Sequence, residues 1–132
     1  MESINLLAVL VAAFATFMIG GLWYSPLLFQ GAWMRANNLT EEQLKSGKTG
    51  VIFGTAFVFA VVMALNLAMF LNAPGTTTAW GATAGALAAI WVVLGIGTAA
   101  LFERRPPIYT AINGGYWAVS FIVMGAILGA WR

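Results

Sequence analysis

Residues 79–102 read AWGATAGALAAIWVVLGIGTAALF, a run with no charged side chain and no proline. An α-helix rises about 1.5 Å per residue, so a run of this length crosses a hydrocarbon core of about 30 Å. Three further stretches, residues 4–24, 50–71 and 108–131, are also long, apolar and uncharged. Transmembrane barrel strands are shorter and alternate in polarity, so continuous runs of this kind belong to helices. The expected fold is an all-α membrane protein. Its single domain, residues 1–132, carries four transmembrane helices and a short interfacial helix in the first loop.

Composition points the same way. Of 132 residues, 61% are hydrophobic and 8% charged, whereas soluble domains carry about a quarter charged residues. A soluble fold of this size lacks the polar surface to cover so much apolar material. The chain has no Cys and no His, which removes thiolate nucleophiles, imidazole bases, disulfides and the commonest transition-metal ligands. Its acids are Glu2, Glu41, Glu42 and Glu103. No enzyme, cofactor or metal site is expected. A formal charge of +2 is too small to suggest nucleic acid as a partner.

Polar punctuation separates the runs. The first lacks a basic leader, since only Glu2 precedes it among charged residues, and it exceeds the usual apolar length of a signal peptide. It reads as a retained helix. Ser25-Pro26 ends it and is expected to start the interfacial helix, with Ser25 as N-cap and Pro26 in the first turn. Leu28, Phe29, Ala32 and Trp33 then fall at helical spacing on one side as far as Asn37. Thr40-Glu41-Glu42-Gln43 has the pattern of a capping box. Asn72-Ala73-Pro74-Gly75 makes a tight turn, and Arg104-Arg105-Pro106-Pro107 closes the third run.

Orientation follows from the basic residues. Loops 30–49 and 103–107 hold Arg35, Lys45, Lys48, Arg104 and Arg105, while the other side holds only Arg132. The positive-inside rule puts the first side in the cytoplasm and both termini outside, in the periplasm of a bacterium with this chain in its inner membrane. Trp23, Tyr24, Trp33 and Tyr109 fall near the inner boundary, and Trp80 and Trp131 near the outer one. Trp91 and Trp117 lie off both belts. Trp91 is expected to pack between helices, with Thr16 as a partner at similar depth.

Gly50/Gly54, Gly81/Gly85 and Gly125/Gly129 are small-xxx-small pairs, which let helix backbones approach closely. Such pairs fit packing within one chain or a contact between subunits. Four thin helices bury little on their own, so a homo-oligomer in membrane lipid is expected. Asn66 and Asn113 are costly in lipid and each is expected to make an interhelical hydrogen bond. No acid or base lies inside a span, which argues against proton-coupled transport.

Several ordered motifs together resemble a known family. They are Trp23-Tyr24-Ser25-Pro26 with Leu28-Phe29 and Trp33-Met34, the Glu103-Arg104-Arg105 junction, Ile112-Asn113-Gly114-Gly115-Tyr116-Trp117, and Met124-Gly125-Ala126-Ile127-Leu128 with Trp131. The chain is similar over nearly its whole length to a bacterial family of small four-span membrane proteins catalogued as a domain of unknown function. That resemblance implies the architecture and no activity.

Two functions remain open from the sequence: a solute or ion pathway within or between subunits, and an accessory protein that binds lipid or another membrane protein. Any small-molecule ligand is unspecified. The candidate site is a polar cluster at the inner face, formed by Trp23, Tyr24, Glu103, Arg104, Asn113 and Tyr116. Gly114 and Gly115 are expected to open space there, and Glu103 to pair with an arginine. The cluster reads either as a small vestibule or as lipid anchors and interhelical ties.

Overall fold

The structure, a computed structural model, describes residues 3–45 and 47–132. The reading of the segment before the first span rests partly on Glu2, which lies outside the described residues. Six helices form in chain order: α1 (Leu6–Trp23), α2 (Gln30–Asn37), α3 (Glu41–Lys45), α4 (Thr49–Phe70), α5 (Thr78–Phe102) and α6 (Pro107–Ala130). α1, α4, α5 and α6 are long and apolar enough to cross a membrane. Their outward faces carry large apolar side chains, with Leu6 64% and Phe102 85% exposed. This is a multi-pass membrane protein, because lipid is the solvent that such a surface requires.

The helix ends follow their local chemistry. Asn5 Oδ1 accepts the Ala8 N–H at 3.1 Å and Thr77 Oγ1 accepts the Trp80 N–H at 3.1 Å, which caps α1 and α5. Pro107 stands in the first turn of α6, where a missing N–H leaves no bond unmade. α5 ends with Arg104 in the left-handed region at φ 60°, and the Arg105 N–H reaches back to the Ala100 carbonyl at 2.9 Å. Thr40 and Gln43 form the expected capping box, with reciprocal bonds of 2.9 and 3.2 Å.

The start of α2 differs from expectation. Ser25 does not cap it: its hydroxyl donates to the Leu22 carbonyl at 2.6 Å. The Ser25 and Trp23 carbonyls accept N–H groups from Gln30 and Phe29, so the end of α1 absorbs donors that a helix starting at Pro26 would have left free. The chain turns through residues 25–29 and α2 begins at Gln30. It stops at Asn38, left-handed at φ 54°, a conformation that asparagine tolerates well.

The spans form an open crescent in the order α4, α1, α6, α5. α5 lies along α6, α1 packs on both α6 and α4, and α4 meets α6 lightly, while α4 and α5 touch where the Phe70 and Trp80 rings meet at 6.2 Å. The α5/α6 seam is made by glycine. A Cβ on Gly81 would overlap the Gly125 carbonyl, one on Gly85 the Phe121 carbonyl, and one on Gly129 the Thr77 carbonyl. Gly81/Gly85 and Gly125/Gly129 therefore pack against each other inside one chain. A Cβ on Gly50 or Gly54 would meet nothing within 4 Å.

Trp91 also departs from expectation. It is 81% exposed, and the Thr16 hydroxyl bonds to the Ala13 carbonyl of its own helix at 2.7 Å. The cause is the open crescent: Trp91 borders the gap that α4 leaves uncovered. Trp117 is half-buried and packs between Tyr116 and Phe121.

Candidate functional site

The end of α1 is tied to the first turns of α6. Trp23 Nε1 donates to the Ile112 carbonyl at 2.9 Å, the Tyr24 hydroxyl donates to Asn113 Oδ1, and the Tyr116 hydroxyl donates to the Thr16 carbonyl at 2.9 Å. Each bond is part-buried and joins a span to its neighbour. Asn113 thus makes its expected interhelical bond. Trp23, Tyr24, Asn113 and Tyr116, four of the six sequence candidates, come together here.

A line of rings runs through the cluster. Trp33 of α2 meets Tyr24 at 5.6 Å, Tyr24 meets Tyr116 at 5.5 Å, Tyr116 meets Trp117 at 4.9 Å, and Trp117 meets Phe121 at 5.9 Å. Trp23 meets Phe29 at 4.8 Å. Tilted and edge-on geometries of this kind add about 0.5–1.5 kcal/mol per pair beyond burial. The ladder ties the interfacial α2 to the middle of α6.

Glu103 and Arg104 stand outside that ladder. Both are exposed at the end of α5. The arginine that reaches Glu103 is Arg105, at 3.6 Å, and it also donates to Asn37 Oδ1 at 3.2 Å and lies over the Tyr109 ring at 5.2 Å. Arg105 thus links the α5/α6 turn to α2 through its bond to Asn37, while its ion pair with Glu103 lies within the turn and is exposed enough to be worth little by itself. Sequence reasoning placed an arginine beside Glu103. The partner is Arg105, and Arg104 occupies the left-handed turn position.

The expected opening at Gly114 and Gly115 is also filled. A Cβ on Gly115 would come within 2.8 Å of the Trp23 ring, and one on Gly114 within 3.0 Å of Val93. On α1, a Cβ on Gly20 would come within 3.3 Å of the Tyr116 ring. Gly115 and Gly20 make room for this chain's own aromatics, and Gly114 for Val93. With each hydroxyl and the indole N–H bonded to a neighbouring helix, the cluster acts as a fastening. Among the described residues no group of three or more His, Cys, Asp or Glu could hold a metal.

A second feature lies where the crescent opens. Between α4 and α5 runs a cleft of about 620 Å³, with Met63, Asn66 and Phe70 on one wall, Leu87 and Trp91 on the other, and Phe121 of α6 between them. Its surface is mostly apolar, and it opens sideways between two spans. No stretch of sequence announced it, because helices that are apolar all round do not reveal which face is left uncovered.

Residues 7–129 match the model of a family described as a protein of unknown function, DUF1761. The chain belongs to this family. No curated protein and no solved structure matches it. The DUF1761 match covers both features, the aromatic fastening at one end and the cleft between α4 and α5.

Proposed function

We propose that this protein is a non-catalytic component of the bacterial inner membrane, with its basic end in the cytoplasm, and that the α4/α5 cleft receives an apolar chain from the bilayer, such as a lipid tail. The observation that carries this reading is the cleft itself. It is large enough for part of an acyl chain, it is walled by Met63, Phe70, Leu87 and Trp91, and it opens between spans rather than along a polar axis. An ion or polar solute would need a row of polar groups to replace its water. Of the six groups that the sequence offers for that purpose, Trp23, Tyr24, Asn113 and Tyr116 are bonded to each other or to backbone, and Glu103 and Arg104 lie exposed at the end of α5.

The test fills the cleft. Leu87 is exposed and Ala88 is half-buried on its α5 wall, so Leu87→Trp with Ala88→Trp narrows it without touching the glycine seam. Native mass spectrometry of the protein released from membranes should show bound lipid, reduced at least fivefold in the filled variant at unchanged helicity. Equal lipid retention in both proteins contradicts the reading. So does ion or solute flux in proteoliposomes well above empty vesicles, which would favour a pathway.

A further inference from the structure

Asn66 sits in α4 about four residues, or roughly 6 Å, from the helix end at Phe70. It is exposed on the rim of the cleft, and among the described residues its side-chain amide has no hydrogen-bond partner. An amide facing hydrocarbon forfeits both its donor and its acceptor bonds, which is costly in a medium that offers neither. Lipid tails can cover the apolar residues around it. They cannot satisfy Asn66.

The amide belongs to a pattern. Ile52, Ala56, Phe59, Met63, Asn66 and Phe70 follow one another at alternating spacings of four and three along α4, the seam of a left-handed helix pair. Part of the seam is unused inside the chain: Ile52 is 57% exposed and Phe59 60%, while Met63 packs on the core and the Phe70 ring meets Trp80 of α5. A single asparagine in such an apolar seam sets register and partner number. In a membrane it also supplies an attraction that apolar side chains lack, since lipid is as apolar as they are.

We infer that α4 pairs with α4 of a second copy of this chain, in parallel, with Asn66 bonded to Asn66 of the partner subunit across a two-fold axis along the membrane normal. Five of the six basic residues lie at one end of the bundle, which biases every copy to the same orientation. Copies so inserted hold Asn66 at the same depth. An amide carries both NH2 donors and a carbonyl acceptor, so two of them facing each other across a two-fold axis satisfy one another. The inference goes beyond the lipid-chain reading: Met63, Asn66 and Phe70 belong both to the seam and to the cleft wall, so a partner α4 takes the place of a lipid tail along that wall.

The chain contains no cysteine, so one introduced cysteine reports one contact. Phe59 and Val58 are neighbours at nearly one depth, 60% and 58% exposed, but about 100° apart around α4. Oxidation of native membranes should cross-link Phe59→Cys into a dimer at least fivefold more than Val58→Cys. Adding Asn66→Leu should weaken the Phe59→Cys dimer roughly tenfold, and Asn66→Gln should preserve it. Asn66→Leu should leave lipid bound in native mass spectrometry while the Phe59→Cys dimer is weakened, which separates this inference from the lipid-chain reading. Equal yields at positions 58 and 59 would mean that lipid covers the seam and would overturn the pairing. A Phe59→Cys yield unchanged by Asn66→Leu would overturn the role of the amide.

Discussion

α5 and α4 are alike as sequences, uncharged runs that each carry a glycine pair at i, i+4, yet they are held in opposite ways. α5 lies on α6 with backbone against backbone, because Gly81 and Gly85 face Gly125, Gly129 and the Phe121 carbonyl. α4 leans on α1 through Ala60, Ala64 and Ala68, and its Gly50 and Gly54 face open space. The spacing alone therefore does not make a helix contact. A second surface of matching relief must stand opposite, and only α6 presents one. The result is a rigid α5/α6 pair, fastened through α6 to α1 by the aromatic cluster, with α4 at the far edge free to present a seam.

The sharpest way to break this contrast is to add bulk on each side. Gly125→Leu should cost about 3 kcal/mol or more, because the new side chain has backbone rather than a flexible neighbour in its way. Gly54→Leu should stay within about 0.5 kcal/mol. Reversible unfolding in mixed micelles would measure both, and similar losses would erase the distinction between the two regions. The Gly125→Leu result also separates in-chain packing from a subunit contact, since a subunit contact would lose association and keep the fold.

A smaller effect is expected at the fastening. Trp23→Phe and Tyr116→Phe each remove one hydrogen bond while keeping a ring, and should each cost roughly 1 kcal/mol in the same assay. Losses near zero would make the cluster a matter of ring packing alone. Smallest of all, Trp91→Leu should leave the unfolding midpoint within about 0.5 kcal/mol, because the indole faces out of the chain. A large loss there would mean that α4 closes over α5.

The same contrast explains how far the sequence could be read. The span boundaries were legible because charge, proline and capping residues mark depth: Arg104-Arg105-Pro106-Pro107 closes α5 and the Thr40/Gln43 box forms, both as expected. Depth also brought Trp23, Tyr24, Asn113 and Tyr116 to one level. Rotation about each helix axis was not legible. Spans apolar on every side give no moment to orient them, so Trp91 was turned inward when it faces out, and Gly114 and Gly115 were read as open space when Val93 and Trp23 fill it. Ser25 departs from its expected role because its hydroxyl could serve either helix, and it bonds back to the Leu22 carbonyl at the end of α1.

The central claim is that the glycines of α5 and α6 meet within one chain, and backbone proximity in lipid tests it most directly. The Gly129 Cβ position lies 3.1 Å from the Gly81 Cα, so a solid-state carbon–carbon correlation between the Gly81 and Gly129 Cα atoms should be strong. It should survive dilution of labelled chains with unlabelled ones. A correlation that disappears on dilution would place the contact between subunits, and one absent from the start would mean that the seam is not formed; either result would contradict the account.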